Sequence, residues 1–306
     1  MTDIHRPKWY REGKTLVINS ETCGINKDGH EQYLVDLETG VRRAEINDKL
    51  SEACEDVIMG KFDNSDVNFH LEKEINANDI YVPKYYDKTI TKEIELLCQK
   101  DKNLSLMTFS ELLEKKYIEI KKGHGSPSSD QRLGEIPYIK VSDLRAGTVN
   151  INPTNMIPAV LAKKFWRSNS SGLKSYDLIS PERASKNIGE FCVLMPGQEN
   201  IVLTKEVIVI RATKEAPFNQ FYLMWALSLS CVRRQWNRII FMQTNREDVG
   251  SRMLEISIPI AKSQEYASKL SAPFYNFYTS FEKERNKFLK ALRKSKFEHY
   301  IHLGDK

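Results

Sequence analysis

The first part of the chain alternates apolar and polar residues around short turn sequences. Residues 14–18 are predicted to form one strand and residues 32–36 its return strand, because alternation with a period of two is typical of a half-buried sheet. The Asn, Asp and Gly of residues 26–29 supply the positive φ angles that tight turns require. A second turn is expected at residues 38–40. The pattern therefore predicts a β-hairpin or meander over residues 12–46.

A less regular stretch follows this predicted hairpin. Residues 47–59 carry apolar side chains at helical spacing and are expected to form a short amphipathic helix. A strand is expected at residues 67–71, an extended segment with a proline at residues 80–86, and a helix at residues 87–98. The polar residues 100–103 then mark an expected domain boundary.

From Thr108 onward the pattern becomes sharper. Either Thr108 or Ser110 is expected to cap a helix over residues 111–116, because a hydroxyl can accept a bond from a free N–H of the first turn. The later elements expected are strands at 117–120, 135–141, 191–195 and 201–210, loops at 121–130, 143–155 and 163–177, and one helix from residue 217 or 218 to about 238.

The last part of the chain, residues 263–297, has a continuous helical pattern that Pro273 should kink. Its large apolar residues are expected to form one stripe: Tyr266, Leu270, Phe274, Phe277, Phe281, Phe288 and Leu292. The rest of the domain is expected to be too small to cover such a stripe along a helix of this length. The pattern therefore predicts a partner helix, either in a second copy of the chain or in another protein. The alternative is that the helix folds back onto residues 1–104.

Composition narrows the class of protein. The 306 residues include 28% charged residues, the mean hydropathy is −0.49, and no apolar run approaches the roughly 18–20 residues of a membrane span. The first residues have no apolar segment behind their basic positions, so no secretory signal is expected. The five cysteines are scattered and follow no metal-binding spacing. These features predict a cytoplasmic protein that does not contact a membrane.

The charge is unevenly distributed along the chain. Residues 121–260 contain 19 Lys and Arg and 12 Asp and Glu, a net charge of +7, whereas the whole chain carries only +5. A local basic excess suits a polyanionic partner, although ordinary solvated surface explains charge alone equally well.

Several catalytic chemistries find no support in the sequence. The string at residues 152–155 lacks the second proline and the aromatic residue that an amino-methyltransferase uses, and residues 123–125 lack the lysine and length of a phosphate-binding loop. The six histidines show no metal spacing. We therefore expect a protein that is not an enzyme and that holds no cofactor and no metal.

Polar and cationic loops on an α/β scaffold remain, and these suit double-stranded DNA. Reading a duplex requires donors that reach base edges and further cations that contact phosphates. The candidate DNA-binding residues are Lys121, Lys122, His124, Ser126, Arg132, Lys140, Arg145, Lys163, Lys164, Arg167, Arg183, Lys186, Gln243, Asn245, Arg246 and Arg252. For any single member of this set, solvated charge is the simpler explanation. Trp166 beside them is expected in the core.

Three strings in this order resemble the specificity subunits of Type I restriction-modification systems. They are MTFSELLEKKYIEIKKGHGSPS from Met107, GEIPYIKVSD from Gly134, and GSRMLEISIPI from Gly250 directly before the long helix. The resemblance spans roughly residues 105–297. It implies an α+β fold with a small N-terminal adaptor region at 1–104, a mixed α/β target-recognition domain at 105–261, and a long C-terminal helix at 262–306.

The same resemblance implies a function. A specificity subunit binds a defined sequence in double-stranded DNA and directs a partner adenine methyltransferase, with or without a restriction subunit. Family members carry two recognition domains and two long helices, whereas this chain shows one of each, so a half-length form is expected. It would work as a homodimer or as a single subunit. Residues 23–36 also resemble the tail of adenine-specific DNA methyltransferases, which implies a region that docks to such an enzyme.

Two other functions stay open from the sequence. The chain could be a structural adaptor of a methyltransferase that binds DNA only nonspecifically. It could also be a free-standing dimeric regulator, although no helix-turn-helix pattern supports that class.

Overall fold

A computed structural model describes residues 10–20, 22–26, 28–61, 65, 68–71, 80–183, 187–241, 249–299 and 301. The chain divides into two compact units, one formed by residues 1–93 with 238–245 and the other by residues 94–237 with 246–306. Both combine helices and sheets, and the sheets of the second unit include parallel as well as antiparallel pairs, so the expected α+β class is confirmed. No helix in the described part of the chain is both long and apolar enough to cross a bilayer.

The first unit contains two small sheets. Its elements are β1 (Thr15–Ile18), β2 (Tyr33–Val35), β3 (Arg42–Ile46), α1 (Lys49–Ile58), β4 (Asn68–Leu71), a 3₁₀ turn (Pro83–Tyr86) and the first part of α2 (Lys88–Lys100). Strand β1 pairs antiparallel with β4, and β2 pairs antiparallel with β3. Helix α1 begins after Asp48, whose carboxylate accepts a bond from the Ser51 N–H at 2.9 Å.

The predicted pairing of residues 14–18 with 32–36 is wrong. The turn at Asn26 and Gly29 does form, with φ of 82° at Gly29, but it closes only an isolated bridge between Ile25 and Glu31. The hairpin forms instead around the second turn, between β2 and β3. Strand β1 takes the more distant β4 as its partner, a choice that local turn residues cannot encode.

The segment at residues 80–86 is also different from the expectation. It contains the 3₁₀ turn Pro83–Tyr86 rather than extended chain, because a proline at the first helical position has a suitable φ and no N–H to leave unpaired.

The second unit carries most of the sheet structure. Its strands are β5 (Leu104–Thr108), β6 (Ile118–Lys122), β7 (Ile136–Ile139), β8 (Leu144–Arg145), β9 (Thr148–Val149), β10 (Met156–Ile157), β11 (Leu178–Pro181), β12 (Cys192–Val193), β13 (Val202–Leu203), β14 (Val207–Ala212) and β15 (Ser257–Ala261). Its helices are the rest of α2, α3 (Phe109–Glu114), α4 (Ala159–Trp166), α5 (Gln220–Ser228), α6 (Ser230–Ile239, of which the last two residues belong to the first unit) and α7 (Gln264–Arg293).

These strands form three sheets. The largest has the order β6-β14-β11-β12-β9-β8, a second has the order β10-β7-β13, and β5 pairs antiparallel with β15. One apolar core lies on the six-stranded sheet and includes Ile179, Leu194 and Val209. A second core joins the three-stranded sheet to α4.

Three expected boundaries in this unit are corrected. Residues 201–210 form two strands, because β13 pairs with β7 whereas β14 pairs with β6 and β11. The single helix expected to end near residue 238 is two helices, separated where Leu229 takes an extended conformation. Lys163 and Lys164 lie in the last turn of α4 rather than in a loop. The expected cap is confirmed at Thr108, which forms a reciprocal capping box with Glu111.

Helix α7 packs along its own unit, against α5 and β15. Its buried residues are Ala267, Ser271, Tyr278 and Arg285. The Tyr278 hydroxyl donates to the Gly147 carbonyl at 2.9 Å, and burial raises the Tyr278 pKa to about 12. The Arg285 guanidinium donates to the Pro196 carbonyl at 2.9 Å. The expectation that the unit has too little surface to cover this helix is therefore wrong for one face.

The predicted apolar stripe divides between two environments. Tyr266, Leu270, Phe274 and Leu292 are half-buried, whereas Phe277, Phe281 and Phe288 are exposed. The reason is the rotation of α7 about its axis, which decides which of its residues face α5. The sequence pattern favours Phe277, but the contact with Phe221 of α5 selects its neighbour Tyr278.

A buried ion pair joins the six-stranded sheet to the segment before β11. The Arg211 guanidinium donates to both carboxylate oxygens of Asp177 at 2.6 Å and to the Gly172 carbonyl at 3.1 Å. The Asp177 carboxylate also accepts the Lys174 N–H at 2.8 Å. The bonds to Asp177 raise the Arg211 pKa. The pair thus holds the end of the 167–177 loop in one position.

We expect Arg211→Met to lower the free energy of unfolding by about 3–5 kcal/mol, because it leaves the buried Asp177 charge without its partner. The exposed Arg233 provides a matched control, and Arg233→Met should change stability by less than about 0.5 kcal/mol. Urea unfolding monitored by circular dichroism measures both. Equal effects of the two substitutions would contradict a structural role for the pair.

Candidate nucleic-acid interface

The loop at residues 123–134 is held to the sheets by its backbone. The Gly123 N–H donates to the Val207 carbonyl at 2.9 Å, and the N–H groups of His124 and Gly125 donate to the Leu203 carbonyl at 3.0 and 3.1 Å. A Cβ atom at Gly123 would lie 1.8 Å from the Thr204 carbonyl oxygen, so only glycine allows this approach. The loop therefore has a defined position.

His124 connects this loop to two other segments through its ring. Its Nδ1 accepts the Leu203 N–H at 2.9 Å, and its Nε2 lies 2.9 Å from the Ser171 carbonyl. Because an N–H donates to Nδ1, that atom carries no proton, and Nε2 must donate to the carbonyl. Burial lowers the His124 pKa below its ordinary value of 6.5. The geometry therefore assigns a neutral, positioning role to His124.

Two more predicted residues hold the loop in shape. The Ser126 hydroxyl lies 3.1 Å from the Thr204 hydroxyl. The Arg132 guanidinium donates to the Pro127 carbonyl at 3.2 Å and lies 5.4 Å from the centre of the Tyr138 ring. Arg132 therefore fixes both ends of the exposed part of the loop.

Helix α4 lies against this loop. A Cβ atom at Gly125 would lie 2.2 Å from the Phe165 ring, which shows how closely the loop and helix approach. Trp166, expected in the core, is half-buried against it, and its Nε1 donates to the Ile201 carbonyl at 2.9 Å. The apolar side of α4 thus packs on the three-stranded sheet.

The opposite side of α4 is cationic and exposed. Lys163 and Lys164 lie in the last helical turn, and Arg167 caps the helix in a left-handed conformation with φ of 53°. In the part of the chain that the structure describes, none of these three cations has a carboxylate at salt-bridge distance. Val160 lies on the same helix, and Arg132 and Leu133 lie at the neighbouring end of the 123–134 loop. We define the α4 surface as Arg132, Leu133, Val160, Lys163, Lys164 and Arg167.

Other predicted cations are neutralised by neighbouring carboxylates. The ammonium of Lys121 lies 3.2 Å from Glu119, and that of Lys122 lies 2.9 Å from the buried Glu182. The guanidinium of Arg183 lies 3.2 Å from Glu206. Lys121 and Lys122 lie on β6, and Arg183 lies two residues after β11, so none of the three is on the α4 surface.

The remaining predicted residues are dispersed. Arg145 lies on the edge strand β8 and donates to the Leu144 carbonyl at 2.6 Å. Lys140 is half-buried, and Arg252 lies in the 3₁₀ turn Gly250–Glu255. Four predicted residues lie outside the described part of the chain: Lys186, Gln243, Asn245 and Arg246.

The chain is similar to Type I restriction-modification specificity subunits. One such structure is the S subunit from M. genitalium, with 13% identity over 67% of this chain and 46% of that chain and a TM-score of 0.37. Another is the HsdS subunit from Thermoanaerobacter tengcongensis, with 15% identity over 69% and 48% of the two chains and a TM-score of 0.35.

A third similar structure comes from a study of complex assembly and conformational transition of the type I R-M system, with 13% identity, 68% and 50% coverage and a TM-score of 0.37. This chain spans about half the length of these solved chains. No family model matches the sequence. No curated protein matches it either.

A second exposed surface lies on α7. The rings of Phe277 and Phe281 stack with centres 6.2 Å apart and an interplanar angle of 8°, and both are exposed. Phe288 continues the same side of the helix two turns later and is also exposed. We define Phe277, Phe281 and Phe288 as the α7 ridge.

Sequence reasoning missed Leu133 and Val160, which are 77% and 83% exposed among the cations of the α4 surface. A signal was present for Val160, because it precedes Lys163 and Lys164 by three and four residues and would share their face in a helix. Among the residues that the structure describes, no group of three or more His, Cys, Asp or Glu side chains could hold a metal ion.

The neutral state of His124 predicts a dependence of stability on pH. Its pKa in the folded chain is lower than in the unfolded chain, so the unfolded state binds the proton first. The stability that neutral His124 contributes is complete above the unfolded pKa of about 6.5 and is lost as pH falls toward the folded pKa.

The variant His124→Gln cannot titrate but can still accept and donate hydrogen bonds. We expect the wild type to be more stable than this variant at about pH 7.5, and the difference in unfolding free energy to narrow at about pH 5.5. Urea unfolding at the two pH values measures it. A difference that widens on acidification would show that the ring is protonated in the folded chain.

Proposed function

We propose that this protein is a sequence-specific DNA-binding specificity subunit of a Type I-like restriction-modification system, and that it directs a partner adenine methyltransferase to its target. The observation that carries the proposal is the α4 surface. Lys163, Lys164 and Arg167 are exposed, adjacent and without carboxylate partners in the described structure, whereas Lys121, Lys122 and Arg183 have such partners.

Unpaired cations of this kind suit the phosphates of duplex DNA. Each Lys or Arg that neutralises a phosphate releases a counterion, which supplies much of the affinity of DNA-binding proteins. The loop at 123–134 supplies polar donors beside these cations, and its bonds to β13 and β14 hold it in place before DNA arrives. A surface prepared in this way binds without a large ordering cost.

The conformation of Arg167 adds a separate argument. A left-handed φ of 53° is unfavourable for any residue with a side chain, and glycine is the usual residue at such a helix end. The arginine therefore occupies a position where stability alone favours glycine. Such a cost is understandable if the guanidinium contacts a ligand.

The α7 ridge supports the second half of the proposal, which is assembly. Three exposed phenylalanines on one side of a long helix form an apolar strip that a partner helix can cover. The partner in this proposal is a helix of the methyltransferase subunit or the same helix of a second copy. A restriction subunit could join through the methyltransferase.

The substitution Arg167→Gly separates binding from stability. We expect it to raise the free energy of unfolding by up to about 1 kcal/mol, because glycine relieves the left-handed strain. Loss of one phosphate contact should also make the plot of log affinity against log salt shallower. The magnitude of its negative slope should fall by about one unit. Fluorescence anisotropy of the full chain with a labelled duplex, over a salt series, measures the slope.

The triple variant Lys163→Gln, Lys164→Gln and Arg167→Gln should reduce the magnitude of the negative salt slope by up to about three units. Its control changes the same number of exposed cations on α7, as Lys283→Gln, Lys287→Gln and Lys290→Gln, and should leave the slope unchanged. If both triple variants lower the slope equally, the α4 surface is not the DNA site. The affinity should also differ between duplexes of different sequence. If it is the same for every sequence, both in the presence and in the absence of the methyltransferase, the chain is a nonspecific adaptor instead.

The variant with Phe277→Glu and Phe281→Glu tests assembly. We expect it to abolish self-association or binding to the methyltransferase, because two buried phenylalanines each contribute about 1.5–3 kcal/mol to an interface. The free energy of unfolding should stay within about 0.5 kcal/mol, since both side chains are exposed in the single chain. Sedimentation with and without the partner measures assembly. Unchanged sedimentation in both cases would exclude the α7 ridge as an interface.

A further inference from the structure

Two large apolar side chains lie within the cationic α4 surface. Leu133 is 77% exposed at the end of the 123–134 loop, and Val160 is 83% exposed on α4. Val160 shares its helical face with Lys163 and Lys164, and Arg167 follows at the C-cap of the same helix. An exposed aliphatic residue alone is ordinary. Two of them beside cations that have no carboxylate partner among the described residues require an explanation.

The fold places the two residues at neighbouring points of one edge. The Glu135 N–H donates to the Ile157 carbonyl at 3.2 Å, and a Cβ atom at Gly134 would lie 2.4 Å from the Pro158 nitrogen. Leu133 directly precedes Gly134, and Val160 follows Pro158 by two residues. The chain thus brings the loop end and the start of α4 together by a close backbone approach.

Leu133 is also held rigidly. On one side, Arg132 is anchored to the Pro127 carbonyl at 3.2 Å. On the other side, Gly134 packs against the backbone of Ile157. Between Pro127 and Arg132 the loop contains a 3₁₀ turn, Ser129–Gln131, and the Ser128 N–H donates to the Gln131 side-chain oxygen at 3.1 Å. An aliphatic side chain on a fixed backbone can meet a partner group with little loss of entropy.

The charges around Leu133 and Val160 indicate the partner. Interfaces between two proteins are depleted of lysine. Beside Leu133 and Val160, however, lie two lysines and one arginine that have no carboxylate partner in the described structure, which disfavours a protein as the ligand. The complementary ligand is a polyanion with an apolar group within reach of its charges. In the major groove of DNA, the 5-methyl group of thymine is such a group, and aliphatic side chains contact it directly.

We infer that Leu133 and Val160 read the 5-methyl group of thymine in the major groove while Lys163, Lys164 and Arg167 hold the adjacent phosphates. This inference rests on the proposed DNA-binding function and adds the residues that determine part of its specificity. A contact of this kind distinguishes thymine from cytosine and uracil without a hydrogen bond. It therefore leaves the overall salt dependence to the three cations.

The test begins with selection of binding sites from a random pool of duplexes by the full-length chain. Each thymine of the selected site is then replaced by deoxyuridine, which removes only the methyl group. We expect at least one replacement to weaken binding about fourfold, the change that corresponds to one methyl-sized group. Anisotropy titrations give the affinities.

Variants then assign the effect to residues. In Leu133→Ala with Val160→Ala, the same deoxyuridine replacement should have no effect, and the selected sequences should lose their preference for thymine at that position. The matched control, Lys163→Gln with Lys164→Gln, should bind all duplexes more weakly and keep the fourfold effect. Leu133 and Val160 are exposed, so their removal leaves the core intact.

Two results would overturn the inference while the proposed function stands: sequence-specific binding with no loss at any deoxyuridine, or a loss that persists in the alanine variant. The base analogue 2-aminopurine, placed in the duplex beside the thymine, becomes more fluorescent when it is unstacked. An increase on binding that is lost in Leu133→Ala would mean that Leu133 inserts between base pairs, and this too would overturn methyl reading. If the chain binds no duplex at all, the proposed function and the inference both fail.

Discussion

The pairing of β5 with β15 is the constraint on which the second unit depends. It places Thr108 opposite Ser257, so that the two ends of the whole segment between them meet in one antiparallel ladder. Gln235 reinforces the closure, because its amide exchanges two hydrogen bonds with the Ser257 backbone at 2.7 and 2.9 Å. The segment between the strands can therefore build its own sheets and cores, and α7 leaves from the same anchored point.

Buried polar contacts then give the surface of this unit its shape. The Asp177–Arg211 pair fixes one end of the loop that begins at Arg167, and His124 holds the middle of that loop through the Ser171 carbonyl. Neither group is free to contact a ligand. Their contribution is to hold the backbone from which the exposed cations and aliphatic residues project.

The distribution of carboxylates decides which cations remain for a partner. Glu119, Glu182 and Glu206 neutralise cations along β6 and beside β11 and β14, whereas the face of α4 has no carboxylate partner among the described residues. The α7 ridge is separate from this charge pattern and is apolar. The second unit thus carries two exposed surfaces of different chemistry, one cationic and one apolar.

The sequence by itself determined the features that depend on local spacing. These include the Thr108 cap, the turn at Gly29 and the position of α7. Periodicity and turn chemistry act over a few residues, so they can be recognised in one dimension.

Only the tertiary structure decided which distant segments meet. Strand β1 pairs with β4 rather than with its neighbour in sequence, and Tyr278 rather than Phe277 faces α5. Tertiary contacts also hold His124 by both ring nitrogens and pair Lys122 with Glu182, whereas Lys163 meets no carboxylate among the described residues. Burial and charge pairing arise between residues far apart in the chain, and a list of residue types cannot show them. The sequence named these residues only as one candidate set. The structure distinguishes His124, whose two ring nitrogens are both hydrogen-bonded, from the ion-paired Lys122 and the exposed Lys163.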